Sequence, residues 1–281
     1  MAVLSMYENV EVVNKENDWE ELDQLFGLQR DAIDSDVAVI VLKIHEPAFV
    51  SKKRSFDYHI YGKTLTEWVC MAFANCPVFE IEADADMDIL ATIKPHLSDK
   101  KYTAVFFADT PLLQRRTFLG IIDYVKTKRM NVCKLERGYV FVTDYLRTAE
   151  KIYTPVNSNL EVGNDLARVY DVESFNFAQR ELKKRILSFH MMHGAEILDI
   201  DSTSIDADVV IGKNVIIHPN NVLIGRTVIE DNVVLLPGNT IIDSQIAKDS
   251  QINNSVIQCS KIKENCIIEP FSYIINGEVK R

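Results

Sequence analysis

At 281 residues, 47% of them hydrophobic and 26% charged, the chain is long enough for one large globular domain or two modest ones, and its composition excludes intrinsic disorder. A formal charge of −10 sets up a long-range field that repels phosphate backbones and anionic bilayers, which excludes broad electrostatic attraction to nucleic acid or to a membrane surface. The five cysteines, Cys70, Cys76, Cys133, Cys259 and Cys266, form no CxxC pair; the opening lacks a secretory pattern and no apolar run is long enough to span a bilayer, so a soluble cytoplasmic protein with reduced thiols is expected.

Residues 1–36 offer one amphipathic candidate, Trp19 to Leu28 after Asp18, and otherwise no readable chemistry. Beyond them strand-like and helix-like runs alternate, the pattern of a parallel α/β sheet. Val37 to Leu42, Val78 to Glu82, Tyr102 to Ala108 and Tyr139 to Thr143 read as strands. Thr64-x-x-Glu67 is a capping box for a helix with Leu65, Trp68, Val69 and Ala72 on one face, and Asp88 opens another through Leu90, Ile93 and Leu97. Phe175, Ala178, Leu182, Ile186 and Phe189 recur at spacings of three and four before Gly194, which predicts a long helix and its stop.

From Ile205 the period changes. An aliphatic residue returns almost every six positions: Ile205, Ile211, Ile217, Leu223, Ile229, Leu235, Ile241, Ile246, Ile252, Ile257, Ile262, Ile268 and Ile274. Between them stand small, β-branched or asparagine residues such as Val209, Val215, Asn221, Thr227, Val233 and Asn239, and turn formers such as Gly212, Asn214 and Gly238. A period of six suits neither a helix nor an alternating strand. It suits short strands separated by sharp turns, three to a coil, with each coil burying its aliphatics only by stacking on the next. Spacings of five at Ile241 to Ile246, Ile252 to Ile257 and Ile257 to Ile262 predict distortion in the later coils. The open end predicts capping by the segment after Ile274 or by another subunit.

Chemistry is sparser. Asp109 directly follows an apolar strand, so it belongs at a strand's carboxyl end, where open α/β sheets bind ligands and where it could hold magnesium. It or Thr110 could instead cap the helix that Pro111 would begin, and local sequence favours the cap. The alternating acids Glu80, Glu82, Asp84, Asp86 and Asp88 read as a solvated face and a helix cap. His190 and His193 have no further metal-ligating partner nearby, and Lys52, Lys53 and Arg54 form a short basic cluster that could meet phosphate.

Three stretches resemble one family. His190-Met-Met-His-Gly194 through Asp206 to Gly212 looks like a linker helix and first β-helix coils, Ala108-Asp-Thr-Pro-Leu-Leu113 is similar to a GDTPLL motif, and Gly62-Lys63 to a GKP segment. All belong to the bacterial bifunctional N-acetylglucosamine-1-phosphate uridyltransferase and glucosamine-1-phosphate acetyltransferase family. The resemblance implies a nucleotidyltransferase-like (Rossmann-like) α/β domain followed by a left-handed parallel β-helix, divided as an N-terminal extension at 1–36, a reduced α/β domain with its linker helix at 37–195, and hexapeptide repeats at 196–281. It implies a nucleotide or nucleotide-sugar ligand bound through Lys52, Lys53, Arg54, Gly62 and Lys63. It also implies Mg2+ on Asp109, with Asp171 standing in for the asparagine that falls at Tyr170, and a homotrimer through the β-helix.

The departures weigh against catalysis. Lys43 to Ser55, where the family's glycine-rich phosphate loop belongs, contains no glycine to let backbone N–H groups approach a phosphate. Leu113 to Lys151 is too short for the sugar- and uracil-contacting regions, and the coils that carry acetyl transfer are missing. The expectation is therefore a relative with impaired or lost nucleotidyl transfer, the alternatives being an active minimal nucleotidyltransferase or a non-catalytic trimeric scaffold.

Overall fold

The computed structural model describes residues 10–12, 36–45, 55–73, 76–152 and 159–280. Strand β1, Val10–Val12, belongs with the C-terminal repeats, and the chain divides into two compact units, one of Gln29–Glu181 and one of Leu182–Arg281 together with Met1–Leu28.

The first unit is built on strand β2, Val37–His45, whose residues 37–42 are all buried. Such an unbroken apolar run marks a strand covered on both faces. A small hairpin of β3, His59–Ile60, and β4, Lys63–Thr64, leads into helix α1, Leu65–Met71. The capping box forms as expected: the Glu67 amide donates to Thr64 Oγ1 at 3.1 Å and the Thr64 amide to Glu67 Oε2 at 2.6 Å. Strand β5, Val78–Asp84, precedes helix α2, Ile89–Ile93, where Asp88 accepts from the Leu90 and Ala91 amides. This helix is shorter than its apolar spacing predicts, because Pro95 turns the next residues into a 3-10 turn. Strand β6, Tyr102–Phe107, is followed by helix α3, Arg115–Lys128, and by β7, Val132–Leu135, β8, Gly138–Val142, the short helix α4, Thr143–Thr148, and β9, Asn159–Leu160.

The sheet order is β5-β2-β6-β8-β7-β9. β2 pairs parallel with β5 and β6, the Rossmann-like half that the alternation predicts. β8, though, runs antiparallel to β6 and to β7. Only Glu136 and Arg137 separate β7 from β8, and two residues make a hairpin, never the crossover that a parallel neighbour needs. One face of the sheet packs Val39, Val41, Ala104 and Phe106 against α1 and α3, with Phe73, Phe106 and Phe118 in mutual ring contact. The other packs Ile40, Leu42, Val105 and Phe107 with Leu90, Ile93 and Phe141.

Helix α5, Val172–Met192, leads into the second unit, a left-handed parallel β-helix. All thirteen periodic aliphatics are buried, and stacking begins one strand earlier than the repeat suggested, with Ile197 above Ile217. The aliphatics stay in register: Ile211, Ile229, Ile246 and Ile262 lie one above another, as do Ile217, Leu235, Ile252 and Ile268. The predicted distortion is absorbed in the turns. Regular turns carry residues such as Asn214, Asn220 and Asn232 at φ of 58° to 61°, whereas the three five-residue spacings carry Asp243, Asn254 and Cys259 at 38° to 47°. A serine follows each of these three and donates its hydroxyl to the carbonyl two residues back, at 2.6 to 2.8 Å. The far end is capped as expected by the segment after Ile274, with Glu278–Lys280 folding back antiparallel on Tyr273–Ile275, while β1 pairs antiparallel with Ser260–Ile262. Among the described residues no helix is long and apolar enough to cross a membrane.

Candidate functional site

Strand β6 delivers Asp109 to the carboxyl end of the parallel strands, with the Ala108 amide bonded to the Leu42 carbonyl of β2. The carboxylate is nearly buried, 8% exposed, and two arginines hold it. Arg137 grips it through two bonds, Nε to Oδ1 at 3.1 Å and an Nη to Oδ2 at 2.7 Å; Arg168 donates Nε to the same Oδ2 at 2.9 Å. Bidentate guanidinium–carboxylate contact is among the strongest charge-assisted geometries. Asp109 caps no helix: α3 begins six residues later, and Thr110 donates its hydroxyl to the Phe107 carbonyl instead.

Both arginines arrive by local rules. Arg137 occupies the β7–β8 hairpin turn, which the pairing of Phe106 with Gly138 lays beside the end of β6. A Cβ on Gly138 would meet the Val105 carbonyl oxygen at 2.6 Å, and its φ of +149° is itself unfavourable for an L side chain, so only glycine permits this approach. The Arg137 guanidinium also lies over the Phe107 ring at 4.0 Å, a cation–π contact that fixes its plane. Arg168 stands between two buried residues, Leu166 and Val169, and the Val169 amide donates to the Asp109 carbonyl at 2.8 Å. The segment before it is tied down too: Glu136 accepts from the Val162 and Gly163 amides, and Asp165 from Gln114 Nε2 at 3.0 Å and from the Thr117 hydroxyl.

Asp171 serves elsewhere. Its Oδ1 accepts from the Ser174 amide at 2.8 Å and hydroxyl at 2.6 Å, the cap of α5, and those bonds hold its carboxyl below the usual range. Tyr170 beside it is exposed, under the Arg168 guanidinium at 5.6 Å. Gly62, at φ 82°, lies in the β3–β4 turn, and Lys63 opens β4 at the entry to the capping box. Lys52, Lys53 and Arg54 lie outside the described residues. The acidic run forms cross-strand pairs, with Lys43 bridging Glu80 and Glu82 at 3.2 and 3.3 Å, as well as the Asp88 cap. His193 Nδ1 lies 2.7 Å from the Phe189 carbonyl, and His190 is buried.

Magnesium needs several oxygens in near-octahedral array. Asp109 has both oxygens committed to guanidinium groups, Asp171 gives one to Ser174, and no set of three His, Cys, Asp or Glu side chains is gathered for a metal among the described residues. This donor set does not fit the ion. The two arginines were missed in the sequence because nothing in the spacing of 109, 137 and 168 announces that they meet; Gly138 after Arg137 was the one local signal.

A family model described as bacterial transferase hexapeptide (six repeats) matches residues 208–243, inside the β-helix. The chain is 25% identical over 256 residues to a protein named bifunctional protein GlmU of Clostridioides difficile (strain 630), covering 88% of this chain and 54% of that one. It is 40% identical over 165 residues to the GlmU of Caldicellulosiruptor saccharolyticus, 55% of this chain and 35% of the relative. It is also 45% identical over 93 residues to that of Clostridium acetobutylicum, 33% and 20% respectively. The resemblance read from the motifs is thus borne out by relatives of that bifunctional kind, and the chain spans about half of their length or less.

Proposed function

We propose that this chain is a sugar-nucleotidyltransferase-like protein in which nucleotidyl transfer is impaired or lost, and which assembles as a trimer through its hexapeptide repeats. The observation that carries this reading is the double arginine clamp on Asp109. In-line transfer of a nucleotidyl group is mostly positioning and charge stabilisation, and where that charge is to be met by a dication, the carboxylate holding it must be free. Here, freeing it would leave Arg137 and Arg168 facing each other without their shared anion. The glycine-free stretch from Lys43 to Ser55 supports the same conclusion. The three-part division at residues 36 and 195 is part of this proposal, as is residence in the cytoplasm.

Pyrophosphate release from UTP and N-acetylglucosamine 1-phosphate with Mg2+ is the direct test. No release above the level of the Asp109→Asn variant is expected. Release by the wild type that the variant loses would overturn the proposal and make Asp109 a working metal ligand.

A further inference from the structure

The sheet of the first unit ends in two unlike edges. β9, on one side, is only two residues long, whereas β5, on the other, offers seven, a row of about 23 Å. Among the described residues β5 pairs with β2 alone, and the register runs one to one from Val39 opposite Val78 to His45 opposite Asp84, so no bulge interrupts it. It carries no proline, and Phe79, Glu80, Glu82 and Asp84 are exposed. An edge this long and regular presents a row of outward backbone N–H and C=O groups, a template for another strand. Charge restricts what can use it. Glu80, Glu82 and Asp84 alternate, which puts all three on one face of the strand, while Phe79, Ile81 and Ala83 line the other. Lys43 meets Glu80 at 3.2 Å and Glu82 at 3.3 Å, and His45 Nε2 lies 3.4 Å from Glu82; Asp84 enters no ion pair among the described residues. One lysine thus answers two of three acids, and exposed pairs of this kind are weak, so the face remains acidic.

We infer that the β5 edge is a docking strand for an extended segment of another protein, one with basic side chains at alternate positions and apolar ones between them. A strand added there continues the backbone ladder beyond β5, sets its lysines or arginines beside Glu80, Glu82 and Asp84, and lays its apolar residues beside Phe79 and Ala83. The same pattern disfavours two other occupants. A second copy joined antiparallel, edge to edge about a two-fold axis at Glu82, would set Glu80 of each copy against Asp84 of the other, and like charges directly opposite destabilise a pair. Nucleic acid would bring phosphates to a row of carboxylates and has no peptide groups to complete the ladder. The inference is separate from the Asp109 cluster, since β2 stands between β5 and β6 in the sheet.

The test is fluorescence anisotropy of a labelled peptide of alternating lysine and valine, matched in length to β5, titrated with the full chain. Saturable binding is expected, weakened about tenfold or more in the double variant Glu80→Gln, Asp84→Asn, a loss of about 1.4 kcal/mol. Binding should be unchanged in Asp123→Asn, Glu150→Gln, which removes the same charge from exposed positions elsewhere in that unit. Thermal melts establish that both variants fold. A peptide with the same lysines spaced by proline, which keeps the charge but cannot form a ladder, should not bind, and neither should the glutamate–valine counterpart. No binding of the lysine–valine peptide by the wild type, binding undiminished in a folded Glu80→Gln, Asp84→Asn, equal losses in the two double variants, or full binding of the proline-spaced peptide would overturn the inference. So would a wild-type assembly that dissociates in Glu80→Gln, Asp84→Asn, since that result gives the edge to a second copy.

Discussion

His190 shows how much one burial decides. It lies near the end of α5, 5% exposed, with Phe189 edge-on to its ring, and burial, aided by the charge of His193, pushes its pKa down to about 4. The protonated ring is therefore disfavoured in the fold but not in the unfolded chain, where the ordinary value near 6.5 applies. The unfolded chain takes up the proton first as pH falls. His190 thus costs no stability above about pH 6.5, and stability is lost progressively between there and about pH 4, by about 3 kcal/mol in all. Urea unfolding at pH 7.5 and pH 4.5 should show most of that loss, and His190→Leu should flatten it. An unchanged slope in the variant would place the acid sensitivity on other groups. Asp109, Arg137 and Arg168 make the complementary point at the same scale: each is unremarkable in sequence, and only their meeting has chemical meaning.

At the scale of elements, the β-helix is held inside by aliphatics and at one corner by an amide ladder. Asn221 and Asn239 are fully buried; Asn239 Nδ2 donates to Asn221 Oδ1 at 2.9 Å and to the Leu236 carbonyl at 2.6 Å, and its Oδ1 accepts from the Ser255 amide at 3.0 Å. Replacing Asn239 with valine keeps the shape of the slot, whose counterpart at another corner is filled by Val215 and Val233, but orphans these partners. A loss of about 1–3 kcal/mol is expected from equilibrium unfolding, the range for leaving a buried polar partner unsatisfied. A neutral substitution would mean that the ladder only fills space. The same corner chemistry explains why the shortened coils keep register: a left-handed residue followed by a serine turns the chain with one residue fewer. In the α/β unit, the short connection between β7 and β8 has the larger consequence, since it reverses β8 and places Arg137 against Asp109.

For the molecule as a whole, the proposed assembly gives a definite mass. Three parallel copies packed through their β-helices should elute with a light-scattering mass three times the 32.0 kDa of one chain. Since a charge of −10 on each copy opposes association, apolar packing has to exceed that repulsion, and the trimer should strengthen with added salt. A monomer at all salt concentrations would remove the trimer from the proposal.

Much of this protein was settled by the chain alone. The six-residue period set the β-helix, because a repeat that can bury its aliphatics only against its neighbours has one way to stack. The apolar run of β2 marked a strand, and Thr64, Glu67 and Asp88 marked two helix starts, since caps are local hydrogen-bond chemistry. Tertiary structure decided the rest. Whether Asp109 meets a metal ion or guanidinium groups depends on residues 28 and 59 positions away, brought in by an antiparallel hairpin and by a segment pinned through Leu166 and Val169. Charges so far apart in sequence leave no periodicity, and only the packing of the sheet brings them to one carboxylate.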